Sequence, residues 1–152
     1  LKQKYPMNLE GYLSNDSNIT KCISESDLII GSVYLTGKKA PTIITRSMLE
    51  QIKPGTVLVD ISIDQGGCFE TSKPTTHQDP TFLIDDILHY CVSNMPGAVP
   101  LTASESLNSA SLSYVQKLAN NDLNLLLNEQ DFKSGLNIMA GEFRHPSLTD
   151  II

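Results

Sequence analysis

Cysteine is scarce in this 152-residue sequence: Cys22, Cys68 and Cys91 lie far apart, with no Cys-x-x-Cys pair. That spacing argues against a disulfide framework or a zinc site and leaves reduced thiols as the default. No apolar run approaches the roughly 20 residues that cross a bilayer, and Leu1-Lys2-Gln3-Lys4-Tyr5-Pro6 has no apolar stretch of the signal-peptide kind. No membrane association is expected, and the expected compartment is the cytoplasm. Basic charge is short as well. Lys+Arg number 11 against Asp+Glu 17, a formal net charge of -6, and no basic stripe is visible, so nucleic acid is not an expected partner. GxGxxG, Walker A, HExxH and GxSxG motifs are all missing, which removes the shortest routes to a function.

What is present is an ordinary globular composition. Hydrophobic residues make up 40% and charged residues 18%, with 9 Gly and 8 Pro, which argues against disorder. The length suits one domain with a workable core. A start at Leu rather than Met raises the expectation of a fragment or a processed product.

The apolar pattern predicts a parallel α/β sheet. Asn8 to Leu13 reads as a short strand, and Ser17 as the cap of a helix carrying Ile19, Cys22 and Ile23. Asp27 to Tyr34 is a continuous apolar run of the type a strand covered on both faces shows. Thr45 is the expected cap of a short helix with Met48, Leu49 and Ile52. After the Pro54-Gly55 turn, Thr56 to Ser62 is a second buried strand, ending against Asp64-Gln65-Gly66-Gly67. Two more apolar runs follow, Thr81 to Ile84 and Ile87 to Val92. Strands alternating with helices imply right-handed crossovers in a parallel sheet. Beyond Pro100 the pattern turns helical. Thr102-Ala-Ser-Glu105 reads as a capping box before Leu107, Ala110, Tyr114, Val115 and Leu118. Asn120-Asn121 reads as a break before a second helical stretch from Asp122 to Glu129, Gly135 to Met139 as a connector, and Ser147-Leu-Thr-Asp150 as another capping box.

Ligands of open parallel sheets bind beyond the carboxyl ends of the strands, so three loops are candidates. Gly31-Ser32-Val33 places a glycine where a flat ligand can approach the backbone, or where close packing requires one. Asp64 precedes a glycine pair at a strand mouth. There it serves either proton transfer or an Asx turn or helix cap, and spacing alone favours the structural use. Asp60, inside the strand pattern, reads as a buried structural acid. Ser93-Asn94-Met95-Pro96-Gly97-Ala98-Val99-Pro100 is either a rigid polar wall, with Asn94 offering donor and acceptor, or a plain Pro-rich loop. His77, His89 and His145 have no ligand spacing and read as structural or exposed, and Cys68 as a small buried hydrophobe.

Two long stretches resemble one enzyme family. Val59-Asp-Ile-Ser-Ile-Asp-Gln-Gly-Gly-Cys-Phe-Glu-Thr-Ser-Lys-Pro-Thr-Thr-His77 and His89-Tyr-Cys-Val-Ser-Asn-Met-Pro-Gly-Ala-Val-Pro100 are similar to alanine dehydrogenases, as are Ala40-Pro41 and Met48 through Gly55. The resemblance is densest from Asp27 to Leu118. It implies reversible NAD-dependent oxidative deamination of L-alanine to pyruvate and ammonia, in a homo-oligomer that is a hexamer in the family. It implies the second half of a Rossmann-type NAD-binding domain over residues 1–100, and over 101–152 a long connecting helix with helices returning to the substrate domain. By motif match Asp64 is the active-site aspartate, next to nicotinamide and the reacting carbon. Val33, Tyr34, Ile61, Val92, Ser93, Asn94 and Met95 line the dinucleotide, and Ser14 lies near its adenosine end. Lys73 stands where many members have Arg, which keeps a charge and loses a planar fork. Lys117 and Asn121 occupy positions where some members carry an acid and a His, so no metal is expected there.

The same resemblance puts the family's glycine-rich fingerprint, its carboxylate-binding Arg and Lys and its catalytic His upstream of Leu1. The expectation is a chain inactive alone, with an exposed edge on its first strand. Two rivals remain. One is an NAD-binding chain similar to domain I of a transhydrogenase, disfavoured by the Cys68-Phe69-Glu70-Thr71-Ser72 run. The other is a non-catalytic or split-enzyme chain acting as a binding or oligomerisation module.

Overall fold

The computed structural model describes residues 9–149, which form two compact units. The first holds residues up to Leu35 and from Lys39 to Ser93; the second holds Thr36–Lys38 and residues from Asn94 onward.

In the first unit, α1 (Asp16–Glu25) leads into a four-stranded sheet of β1 (Leu28–Gly31), β2 (Val57–Asp60), β3 (Thr81–Ile84) and β4 (Ile87–Tyr90). The strand order is β1-β2-β4-β3. β1 and β4 flank β2 in parallel, with Ile29 opposite Leu58 and Leu58 opposite His89. β3 departs from the expected direction. It runs antiparallel to β4, with Ile84 opposite Ile87, because only two residues join them and a parallel connection needs a dozen or more. Those two, Asp85 (φ 51°) and Asp86 (φ 60°), are both left-handed, as a tight hairpin turn matched to strand twist requires. Gly55 N–H donates to Asp86 O (2.8 Å), and Arg46 pairs with Asp85 (2.7 Å), fastening the turn from outside.

Strand alternation divides the sheet into two unlike faces. Leu58, Asp60, Ile87 and His89 are buried on one face, with Ile29 half-buried beside them. This face meets a core built from Ile23 of α1, Ala40, Ile44, Leu49, Ile52, Cys68 and Phe69. The opposite face shows exposed Leu28, Ile30 and Leu83. The strands therefore have one covered face within this unit, where the continuous apolar run at Asp27 to Tyr34 implied two.

Local chemistry explains the boundaries. Residues 9–14 are irregular, not a strand, and Asn8 lies outside the described residues. The cap of α1 is Asn15, whose Oδ1 accepts from Asn18 N–H (2.9 Å), so the helix begins two residues ahead of the Ser17 expectation. Thr45 does not cap the 3-10 helix Ser47–Gln51; its hydroxyl meets Ser47 Oγ at 3.0 Å.

In the second unit a 3-10 turn (Met95–Ala98) precedes the 21-residue α2 (Pro100–Asn120). Pro100 at the first helical position suits a helix start, since its missing N–H would have no partner there. Helix α2 thus starts ahead of Thr102-Ala-Ser-Glu105, leaving that motif inside the helix. Asp122 caps α3 (Leu123–Leu126) through Asn124 N–H (2.7 Å). α4 (Gln130–Gly135), a two-residue ladder of β5 (Ile138–Met139) with β6 (Glu142–Phe143), and α5 (Pro146–Thr149) follow. The four-residue motif expected at Ser147 runs to Asp150, outside the described residues. No helix among the described residues is long and apolar enough to cross a membrane.

Candidate active site

The carboxyl end of β2 turns directly into a 3-10 helix, Ile61–Gln65, which carries Asp64. The capping role that spacing offered to Asp64 is carried by Asp60, whose Oδ1 accepts from Ser62 N–H (3.0 Å). Asp64 stands exposed on the turn, next to Ile61, which is 51% exposed despite its apolar side chain. The turn ends at Gly66 (φ 94°) and Gly67 (φ 78°). Gly67 is required twice over. Its backbone is left-handed, and a Cβ there would come within 2.9 Å of Asp60 Oδ2.

Asp60 is fully buried and is the hub of the loop. Oδ2 accepts from Cys68 N–H (2.8 Å), Phe69 N–H (3.3 Å) and the Ser72 hydroxyl (2.6 Å), and the Cys68 thiol points at Oδ1 (3.4 Å). Multiple donors are what a buried carboxylate needs to offset its lost hydration. Burial, followed by the Asp60 charge, pushes the Cys68 thiol up to about 12, and burial raises Cys91 as well. Both thiols stay protonated at neutral pH and act as small hydrophobes.

A second link was missed by sequence reasoning. The Ser62 hydroxyl accepts from Val33 N–H (2.8 Å) and donates to Val33 C=O (2.9 Å), clasping the loop after β1 to the Asp64 turn. Its signal was available: a lone serine in the apolar run Val57-Leu-Val-Asp-Ile-Ser-Ile63. Lys39 was also overlooked. Its aliphatic chain lies over Gly66, where a Cβ would meet Lys39 Cε at 2.6 Å, and Ala40 N–H donates to Gln65 C=O (2.9 Å). Gln65 Oε1 is a buried acceptor with no partner among the described residues.

The remaining expected positions fall in several places. Ser14 and Val33 line one apolar cleft of about 330 Å³ between α1 and β1, with Ile19, Ile30 and Phe69; Asp64 lies outside its lining. Tyr34 follows Val33 and is 68% exposed. Gly31 is a packing glycine: a Cβ would sit 2.4 Å from Cys68 Sγ and 2.6 Å from the Phe69 ring. Val92 is fully buried and bridges to Thr75, so it offers no side-chain surface, while Ser93 is half-buried. Lys73 lines a separate shallow pocket with Pro74, Thr75 and Phe82, its ammonium 4.4 Å from the Phe82 ring centre. In the second unit, Asn94 adopts a left-handed conformation (φ 54°, ψ 52°) and lines an open cleft with Pro96, Gly97, Pro100 and Leu107; Met95 opens the 3-10 turn that follows.

His89 is structural. It is fully buried, stacks on Phe82 (4.9 Å), and bonds Thr71 Oγ1 through Nε2 (2.8 Å) and Ile87 C=O through Nδ1 (3.0 Å). Donation from Nδ1 and acceptance at Nε2 suit a neutral ring, and burial lowers its pKa. His77 is exposed, and His145 bonds Ser147 (2.6 Å). Among the described residues no His, Cys, Asp and Glu cluster has the geometry of a metal site.

Comparison with known proteins converges on one family. The family model described as alanine dehydrogenase/PNT, C-terminal domain, matches residues 1–146. An alanine dehydrogenase of Halomonas elongata is 45% identical over 151 residues, 99% of this chain and 41% of that protein. One from Mycolicibacterium smegmatis is 50% identical over 111 residues, 73% of this chain and 30% of that protein. A solved L-alanine dehydrogenase superposes with a TM-score of 0.83 at 41% identity, covering 99% of this chain and 42% of the other. A transhydrogenase structure from Sinorhizobium meliloti, at TM-score 0.54 and 23% identity over 86% of this chain and 35% of its own, shares the fold alone. The chain thus spans about two-fifths of the length of the first of these relatives. With the match running over nearly every residue, the chain belongs to the alanine dehydrogenase/PNT C-terminal domain family.

Proposed function

We propose that this chain supplies the nicotinamide-facing part of an NAD-dependent alanine dehydrogenase, with Asp64 as its active-site acid. The observation that carries the reading is the β2 exit. An exposed carboxylate rides on a rigid turn beside exposed apolar surface at Ile61, clasped to the loop that bears Val33 and Tyr34. This residue set fits a dinucleotide, offering apolar surface for a flat ring and a carboxylate at a strand mouth. When bound, NAD accepts the hydride that leaves the alanine Cα.

The chain's own share is proton and water handling. The overall change is L-alanine, NAD and water giving pyruvate, ammonium, NADH and a proton. After oxidation the substrate is an imine, and water must add to its carbon. Asp64 accepts a hydrogen bond from that water, orients it and takes up its proton, a task suited to a carboxylate held on a fixed turn. The same proposal takes Ser14 as a contact near the adenosine end of the dinucleotide, and Ile61, Ser93, Asn94 and Met95 as further dinucleotide contacts. Lys73, in its separate shallow pocket, keeps a positive charge as a further candidate contact for the dinucleotide. Residues 1–100 serve as the second half of the NAD-binding domain, and 101–152 as the connecting helix and the part reaching the substrate domain. The assembly is a homo-oligomer acting in the cytoplasm.

The test is reductive amination. The intact protein as the cell makes it should consume NADH only when pyruvate and ammonia are both present, and Asp64→Asn should lower kcat about 100-fold or more, the scale of lost general acid–base catalysis. Full turnover by that variant overturns the assignment.

A further inference from the structure

We infer that Asp60 is a positioning residue for the reaction: its buried carboxylate gathers the Ile61–Ser72 loop into the one shape that presents Asp64 beyond the end of β2. The inference rests on the reading of Asp64 given above. Asp60 is itself inaccessible, so it acts only through what it holds. It holds the loop at both ends. Oδ1 fixes the start of the 3-10 helix by accepting from Ser62 N–H, while Oδ2 gathers Cys68, Phe69 and Ser72 on the return. Asp64 lies between those anchor points. Gly67 crosses the carboxylate so closely that no side chain fits between them.

A side chain able to accept at both oxygens is therefore the requirement. Asparagine keeps the size and loses it, since its amide must aim two N–H groups at donors on one side of the hub. A loop freed at one anchor relaxes by a fraction of an ångström or more, and displacement of about 1 Å in a reacting group costs on the order of 100-fold in rate.

The experiment compares Asp60→Asn, Ser72→Ala and Asp64→Asn in the intact protein. Two readouts are taken: steady-state kinetics, and NAD-free measurement of Cys68 alkylation together with amide exchange at Cys68 and Phe69. Asp60→Asn should lower kcat about 10- to 100-fold with KM for NAD changed less than about threefold, while Cys68 alkylation and both amide exchange rates rise. Ser72→Ala, which removes a single donor and keeps the carboxylate, should move every readout the same way by a smaller factor, and it carries the test if Asp60→Asn does not fold. Asp64→Asn should lower kcat about 100-fold or more with Cys68 alkylation unchanged. Normal kcat in a Ser72→Ala or Asp60→Asn protein whose Cys68 has become reactive overturns the positioning role. Normal turnover by Asp64→Asn instead overturns the functional reading, and the two failures are separable.

Discussion

The two units bury their side chains very differently. The first packs Leu58, Ile87, Ile44 and Leu49 to 2% exposure or less around a short sheet. In the second, Leu126 is the one large apolar residue buried among those described, and the 21-residue α2 buries none of its side chains. Leu101, Leu107, Leu112, Val115 and Leu118 of that helix are all exposed. The first unit is organised around that burial, whereas the contacts of the second include the Tyr114–Phe132 edge contact and the exposed Lys117–Glu129 pair (2.7 Å), the latter of a kind worth little to stability. Geometry needed to within fractions of an ångström belongs on the first kind of scaffold, and the Asp64 turn is there.

The sharpest way to break this comparison is to cut the same side chain in both units. Leu58→Ala should destabilise by about 2–5 kcal/mol through lost burial and a cavity, whereas Leu112→Ala should stay within about 0.5 kcal/mol. Denaturant unfolding of each variant measures both. Equal losses would mean that α2 carries as much stabilising burial as the sheet does.

Glycines give a smaller contrast of opposite sign. Gly31→Ala forces a methyl group into Cys68 and Phe69 and should cost about 1–3 kcal/mol. Gly135 ends α4 with nothing within 4 Å of a new Cβ, so Gly135→Ala should stabilise by up to about 1 kcal/mol. Thermal melts of the pair decide it, and a destabilising Gly135→Ala would mean that this face of α4 is packed.

Much of the first unit was legible because its apolar runs are short, bounded by Pro54-Gly55 and Gly66-Gly67, and rich in β-branched residues. The direction of β3 was not read, although Asp85-Asp86 between two apolar runs carries the hairpin signal: short polar residues that tolerate left-handed backbone. The start of α1 was misplaced because several cap-capable residues stand in a row at Ser14-Asn15-Asp16-Ser17, and it is Asn15 whose Oδ1 accepts from Asn18 N–H. At the site, the family motif directs attention to Asp64, and the strand pattern already marked Asp60 as the buried acid, but not the set of donors that it gathers. The Asp60 hub and the Ser62 clasp join residues up to 29 positions apart, a relation no local window contains.

The gentlest effect expected is a pH dependence confined to the first unit. His89 has its pKa lowered by burial, so the folded state resists a proton that the unfolded chain accepts below about pH 6.5. Its contribution to stability is whole above that value and declines as pH falls toward the folded pKa. Titration of the His89 ring signals by NMR should show a midpoint below that of a free histidine. A midpoint at or above it would mean that the ring is reached by water and that this side of the core is looser than the packing implies.

The Ser62 clasp also limits how anything lying against Val33 can be recognised. An amide has one proton to give, and that of Val33 is already committed to the serine oxygen. A guest resting on this residue finds grease and contour but no donor, so discrimination between one planar heterocycle and another has to be exercised elsewhere along the groove.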